Sequence, residues 1–227
     1  MQLAALFSGG KDSTYATYLA SKEHKIRYLV SLISENPESY MFHTQNIELT
    51  KVQAEAMGLP IITRLTKGEK EKELEDLREV LKSIKDEVDG IVCGAIESEY
   101  QRTRIAKICE ELNLDCVAPL WKSDPVEILR GMLKSDFKIM IVAVGAAGLS
   151  KDWLGRIIDE KCLKDLIELN RKYKIHIAGE GGEFETFVLD CPLFRKRIEI
   201  TDYDISWDEK TQSGELIIKK VKTIKKS

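Results

Sequence analysis

Short apolar runs and helix-spaced apolar positions alternate along the first half of the chain. Gln2 to Phe7 (QLAALF) reads as a short buried strand, and from Asp12 to about Glu23 the spacing turns helical, with Tyr15, Leu19 and Ala20 apolar. Ile26 to Ile33 (IRYLVSLI) predicts a second strand. Thr44 to Met57 (TQNIELTKVQAEAM) predicts a helix that opens at a hydroxyl cap and stops at Gly58, with Pro60 just beyond. After a strand at Ile61 to Leu65, the charged stretch Glu69 to Lys85 carries Leu74, Leu77, Leu81 and Ile84 three and four apart, which is one helical face. Gly90 to Cys93 predicts another strand. Ser98-Glu99-Tyr100-Gln101 then has the form of a capping box, opening a helix that ends near Asn113. This alternation predicts an α/β fold: an open, mostly parallel sheet with helices on both faces, whose ligands bind outside the carboxyl ends of the strands.

Beyond Pro119 the pattern is less regular. It predicts a helix at Pro125 to Lys134, a strand at Phe137 to Val144 and a helix from about Asp159 to Tyr173. Arg195 to Ser206 and Glu215 to Ile224 are β-rich and joined by a polar segment ending at Gly214, an antiparallel hairpin. The expected division is a domain over 1–120 and a smaller C-terminal α+β part with the hairpin over 121–227.

Composition narrows the partners. With 227 residues, 43% of them hydrophobic, the chain has enough apolar side chain for a sizeable core. The formal net charge of -3 offers no global attraction for nucleic acid or an anionic membrane, and the basic end KKVKTIKKS reads as a solubilising tail. No run is long and apolar enough to span a bilayer and no leader is evident, so the expectation is a cytoplasmic protein with neither membrane nor nucleic-acid partner. Cys93, Cys109, Cys116, Cys162 and Cys191 form no Cys-x-x-Cys pair and read as small buried hydrophobes in a reducing compartment. Oligomeric state is left open, a homodimer included.

The first predicted strand ends in Ser8-Gly9-Gly10-Lys11-Asp12-Ser13. A glycine turn between a strand and a helix N-terminus presents unpaired backbone N–H groups and the positive end of a helix dipole, which together cradle an anion. Gly9 and Gly10 let backbone approach a phosphate, Ser8 and Ser13 bring hydroxyls, and Lys11 a charge. Walker A spacing would need glycine where Ala5 stands and a hydroxyl where Asp12 stands, so this is a different cradle.

SGGKDS resembles the PP-loop of the N-type ATP pyrophosphatases, a superfamily with a Rossmann-like fold. That resemblance implies cleavage of ATP to AMP and pyrophosphate, the loop holding the leaving pyrophosphate and Asp12 serving as a Mg2+ or loop-ordering residue. Four further stretches narrow it: YMFHTQN (Tyr40 to Asn46), CGAIESEYQRTRI (Cys93 to Ile105), WLGR (Trp153 to Arg156), and GEGGEFETFV (Gly179 to Val188) running into DCPLF. With them the chain is similar to the diphthine-ammonia ligase family over nearly its whole length, in a short form without extra domains. The implied reaction adenylates a carboxylate on a modified histidine of translation elongation factor 2, after which ammonium supplies the nitrogen that displaces AMP.

On that resemblance Lys11, Asp12 and Arg104 are the catalytic candidates. Ser8 to Ser13, His43 and the backbone of Gly94, Ala95 and Ile96 would meet the nucleotide, and Tyr100, Arg102, Glu180, Glu183, Glu185 and Thr186 the substrate. Three glutamates in one glycine-rich segment repel unless a cation sits among them: magnesium, ammonium or the trimethylammonium arm of diphthine. Trp121, Trp153 and Tyr100 are candidates for an aromatic wall against that arm. The bland readings are surface arginines, a helix-entry hydrogen bond for His43, core aromatics and a solvated acidic turn. The rival functions are a tRNA-modifying PP-loop enzyme, which calls for a basic face and a cysteine pair, and a non-catalytic nucleotide-binding module.

Overall fold

The computed structural model describes residues 1–34, 49–67 and 72–226. The chain divides into two compact units, Met1–Trp121 and Lys122–Ser227. The first contains β1 (Gln2–Leu6), α1 (Lys11–Ser21), β2 (Lys25–Ser34), α2 (Thr50–Met57), β3 (Ile61–Thr66), α3 (Lys72–Ile84), β4 (Gly90–Val92), α4 (Glu99–Leu112) and β5 (Asp115–Val117). Its strands form one sheet in the order β3-β2-β1-β4-β5, every neighbouring pair parallel.

That order sets where a ligand can sit. From β1 the chain passes through α1 to β2 on one side, then to β3 at the edge. α3 carries it back across to β4, on the other side of β1. Chain leaving β1 and chain leaving β4 therefore depart in opposite directions, opening a crevice at the carboxyl ends of these two central strands. The segments there are Phe7 to Gly10 and Cys93 to Ser98.

Local signals account for most of the elements. Leu74, Leu77, Leu81 and Ile84 of α3 are all buried and pack with Ala4, Val30 and Ile91 of the sheet. Each such side chain contributes about 1.5–3 kcal/mol relative to leaving it exposed. Ser98 caps α4 by accepting from the Gln101 N–H at 3.3 Å. Gly58 ends α2 in the left-handed conformation (φ 69°), and Asn113 ends α4 in the same way (φ 54°). The expected start of the second helix at Thr44 lies outside the described residues.

Two strands go beyond the sequence reading. β5 is only three residues long, too short to show a period, and exists through its pairing with β4. The second, β7 (Phe184–Asp190), includes part of the glycine-rich segment whose bland reading was a solvated acidic turn.

The second unit is α5 (Pro125–Lys134), β6 (Lys138–Val144), a 3-10 turn at Lys151–Trp153, α6 (Glu160–Tyr173), β7, β8 (Lys196–Asp208) and β9 (Ser213–Lys225). Asp124 caps α5 and Asp159 caps α6 with their carboxylates. The strands form a separate antiparallel sheet, β7-β6-β9-β8, with β8 and β9 as the expected hairpin. The fold is thus mixed α/β, a parallel sheet with helices followed by a separate antiparallel sheet. Among the described residues no helix is long and apolar enough to cross a membrane.

Candidate functional site

The turn from β1 into α1 is closed by its own hydroxyls. Ser8 and Ser13 place their Oγ atoms 3.1 Å apart, the Ser8 N–H donates to Ser13 Oγ at 3.2 Å, and the Gly10 N–H points to Ser8 Oγ at 3.4 Å. Thr14 Oγ1 and Ser13 Oγ both donate to the Gly10 carbonyl. Gly10, in an extended conformation, caps α1 without any side-chain cap. The positive end of the helix dipole therefore meets a loop of backbone amides ordered by two serine hydroxyls, an arrangement that suits an anion.

Gly9 has φ +81°, and a Cβ there would stand 2.2 Å from Gln53 Oε1. Gln53, fully buried on α2, donates through Nε2 to the Gly9 carbonyl at 2.9 Å. One amide side chain from another element thus fixes the orientation of the Gly9 peptide. Lys11 is buried, 3% exposed, with Nζ 2.7 Å from Asp12 Oδ2, whose side chain is 27% exposed. The ammonium is held in the loop by a neighbour that still reaches solvent.

Gly94, just past β4, lies against the first turn of α1. A Cβ on it would come 2.8 Å from the Ser13 N and 2.9 Å from the Asp12 carbonyl carbon. Ala95 and Ile96 follow as buried residues. The two segments of the crevice are therefore in contact, with glycine as the condition of that contact.

On α4 the two arginines each face an aromatic ring. The Arg102 guanidinium lies 4.6 Å from the Trp121 ring centre and that of Arg104 3.5 Å from the Tyr100 ring centre. In the second unit Arg156 stacks at 4.4 Å on Trp153 and pairs with Asp165. Each aromatic expected to form a wall for a cationic substrate already carries a guanidinium of its own chain.

The three glutamates do not share one fate. Glu183 accepts the His176 N–H on Oε1 at 2.6 Å and the Gly181 N–H on Oε2 at 2.9 Å, while its carbonyl accepts the Gly145 N–H. His176 Nδ1 accepts from the Ala178 and Glu180 N–H groups in the same loop. Backbone amides compensate the Glu183 carboxylate and shape the loop around it. Glu180 is in that loop, and Glu185 and Thr186 are on β7, paired with Ala143 and Ile141 of β6. His43 lies outside the described residues.

Sequence reasoning missed Gln53 and Thr50, whose methyl also borders Gly9. The signal was present as a hydroxyl-x-x-Gln pattern in TKVQ, the form that was recognised at Ser98. It also missed that Cys93, Cys109 and Cys116 meet at one point in the first unit.

A family model described as the diphthamide synthase N-terminal domain matches residues 1–116, and one described as its C-terminal domain matches residues 124–224. A human protein named diphthine–ammonia ligase is 40% identical over 227 residues, covering 90% of this chain and 85% of that protein. A protein of the same name from Danio rerio is 40% identical over 88% of this chain and 86% of its own length. One from Schizosaccharomyces pombe is 34% identical over 98% of this chain but only 39% of its own length. A crystal structure described as a predicted subunit of tRNA methyltransferase from Methanocaldococcus jannaschii aligns with TM-score 0.46 and 15% identity over 85% of this chain and 98% of that one, a likeness too low to bear on function. With domain models matched in both halves and relatives similar over most of their own length, this chain belongs to the diphthamide synthase family.

Proposed function

We propose that the protein amidates the carboxylate of diphthine on translation elongation factor 2, using ATP and ammonium, in the cytoplasm. The observation that carries this is the anion cradle at the switch point of the parallel sheet, in a chain whose relatives are named diphthine–ammonia ligases. A diphthine carboxylate oxygen attacks the α-phosphorus of ATP, and pyrophosphate leaves with the bridging oxygen. Ammonia then attacks the carbonyl carbon of the acyl-adenylate, AMP departs, and one proton is released. The products are the amide, AMP and pyrophosphate.

The Ser8 to Ser13 loop would take the pyrophosphate on its amides, with Lys11 as a fixed charge and Gly94, Ala95 and Ile96 lining the nucleotide side. Mg2+ is commonly held by one or two carboxylates plus substrate phosphates, and Asp12, partly exposed beside the cradle, fits that donor set. The ion would neutralise charge on the pyrophosphate. Arg104 is assigned to the α-phosphate, where negative charge develops during adenylation. Tyr100, Arg102, Glu180, Glu185 and Thr186 are assigned to the substrate carboxylate, its cationic arm and ammonium, and Glu183 supports the loop that carries Glu180.

The test is incubation with ATP and ammonium, with and without diphthine-bearing elongation factor, following nucleotide products and the mass of the factor. The expected result is AMP and pyrophosphate, formed together with replacement of one hydroxyl by an amino group on the factor. ADP and phosphate as stoichiometric products would overturn the adenylation step, and an unmodified factor would overturn the substrate assignment.

A further inference from the structure

Cys93, Cys109 and Cys116 come from three elements, and the sheet register brings them to one face. Ile91 of β4 is opposite Cys116 of β5, and Val92 is opposite Val117. Opposed residues in a parallel pair face the same side, and Ile91 and Cys93 share a side by strand alternation. Cys93 and Cys116 therefore share one face as diagonal neighbours, the ladder prolonged by a 2.9 Å bond from the Cys93 N–H to the Val117 carbonyl. α4 covers that face with Ile105, Ile108 and Cys109. Asn113 then reverses the chain, with the Leu114 N–H bonded to the Cys109 carbonyl at 2.8 Å, so the last turn of α4 runs back beside the start of β5.

We propose that Cys109 and Cys116 are a peroxide-reactive dithiol that closes to an intramolecular disulfide, with Cys93 as a third thiol at the same point. Cys93 and Cys109 are buried, at 2% and 1% exposed, whereas Cys116 is only partly covered and is where a small oxidant enters. The Cys109 thiol and then that of Cys93 donate to the Cys116 sulfur and hold its thiol below the ordinary range against the opposing effect of burial. The Arg102 charge adds to this. Burial and the same contacts push Cys93 and Cys109 up. These contacts favour the thiolate at Cys116 over Cys93 and Cys109.

The chemistry balances with a hydroperoxide as oxidant. The Cys116 thiolate attacks one peroxide oxygen, the O–O bond breaks, and hydrogen peroxide leaves as water after protonation. The Cys109 sulfur then attacks the Cys116 sulfenic acid and expels a second water. Two thiols are oxidised by two electrons in all, and a small-molecule thiol reverses the step. This inference is independent of the ligase reading.

The experiment uses the full reduced chain, treated with a small excess of hydrogen peroxide, alkylated under denaturing conditions and mapped without reduction. Cys162 and Cys191 serve as internal controls, because burial pushes their thiols up to about 11 and about 12. The expected result is a Cys109–Cys116 cross-linked peptide, reversed by dithiothreitol, at a peroxide dose that leaves Cys162 and Cys191 alkylatable. In Cys109→Ser, dimedone should trap a sulfenic acid on Cys116, or a Cys93–Cys116 link should take its place. Five alkylatable thiols after treatment, or oxidation spread equally over Cys162 and Cys191, would overturn the proposal. The wild-type comparison stands even if a variant misfolds.

Discussion

Replacing Gly94 by alanine adds a single methyl group where the first turn of α1 meets the chain after β4. The new Cβ would stand 2.8 Å from the Ser13 N, 2.9 Å from the Asp12 C and 3.0 Å from the Asp12 O, whereas ordinary contact begins at 3.4 Å. All three neighbours are backbone, so no rotamer change relieves the overlap. Either α1 or the β4 segment must withdraw by about half an ångström, an overpacking that costs about 1–3 kcal/mol. For a chain of this length each kcal/mol lowers the melting midpoint by about 2–4 °C. The displaced residues are Asp12 and Ser13, within the anion cradle, so ATP binding should also weaken, by roughly tenfold, or about 1.4 kcal/mol. Calorimetric titration with ATP and a thermal melt on the same sample separate the two effects. Gly182→Ala is the control: its φ is +81° but nothing lies within 4 Å of its Cβ, so it should lose about 1–2 kcal/mol to backbone strain and none of its ATP affinity. A Gly94→Ala protein that melts earlier yet binds ATP normally would show that the close approach packs the sheet without shaping the cradle. Unchanged values in both measurements would refute the contact itself.

Five further substitutions probe the remaining assignments. Gln53→Ala removes the donor to the buried Gly9 carbonyl and should cost about 1–3 kcal/mol in chemical denaturation, with a rise in the KM for ATP that exceeds any fall in kcat. Glu183→Gln and Glu185→Gln test the two carboxylates separately: the first leaves the side-chain NH2 facing one of two backbone N–H donors, so the protein should lose about 1–3 kcal/mol in stability, and the second should raise the requirement for ammonium or diphthine. Arg104→Ala should slow adenylation, read as pyrophosphate exchange, more than it weakens ATP binding; normal turnover would return this arginine to a plain stacking role on Tyr100. Leu81→Ala in α3 should cost about 2–5 kcal/mol in a urea titration, since the side chain is fully buried among the leucines of its helix and the sheet.

Where a feature was readable in the sequence, its cause was local. Ser98 caps α4 because its hydroxyl reaches an N–H three residues on, and Gly58 ends α2 because glycine accepts φ 69° without strain. The face of α3 follows from spacings within one helix. β5 and β7 have causes elsewhere in the chain. DCV becomes a strand because β4 offers it a parallel edge, and FETFVLD becomes one because β6 pairs with it from Val144 to Lys138. Neither partner is visible within a window of ten residues, and the segment into Phe184 read at its blandest as a solvated acidic turn.

The site divides along the same line. SGGKDS points to an anion cradle, the reading proposed above, because the glycines, the hydroxyls and the helix start are contiguous. That the SGGKDS loop packs against Gln53 and Gly94 is a matter of which elements lie beside it. Glu183 makes the limit physical. Counting only side-chain charges, three glutamates on a glycine frame demand a cation. The loop instead turns two peptide N–H groups, those of His176 and Gly181, onto one of the three carboxylates. Backbone dipoles appear in no count of charged residues, yet a carboxylate accepting two of them at 2.6 and 2.9 Å needs no counter-ion to be stable there. The electrostatic argument for a bound cation therefore does not extend to Glu183, and charge-neutral variants at Glu180 and Glu185 are where a loss of ammonium or diphthine recognition should be sought.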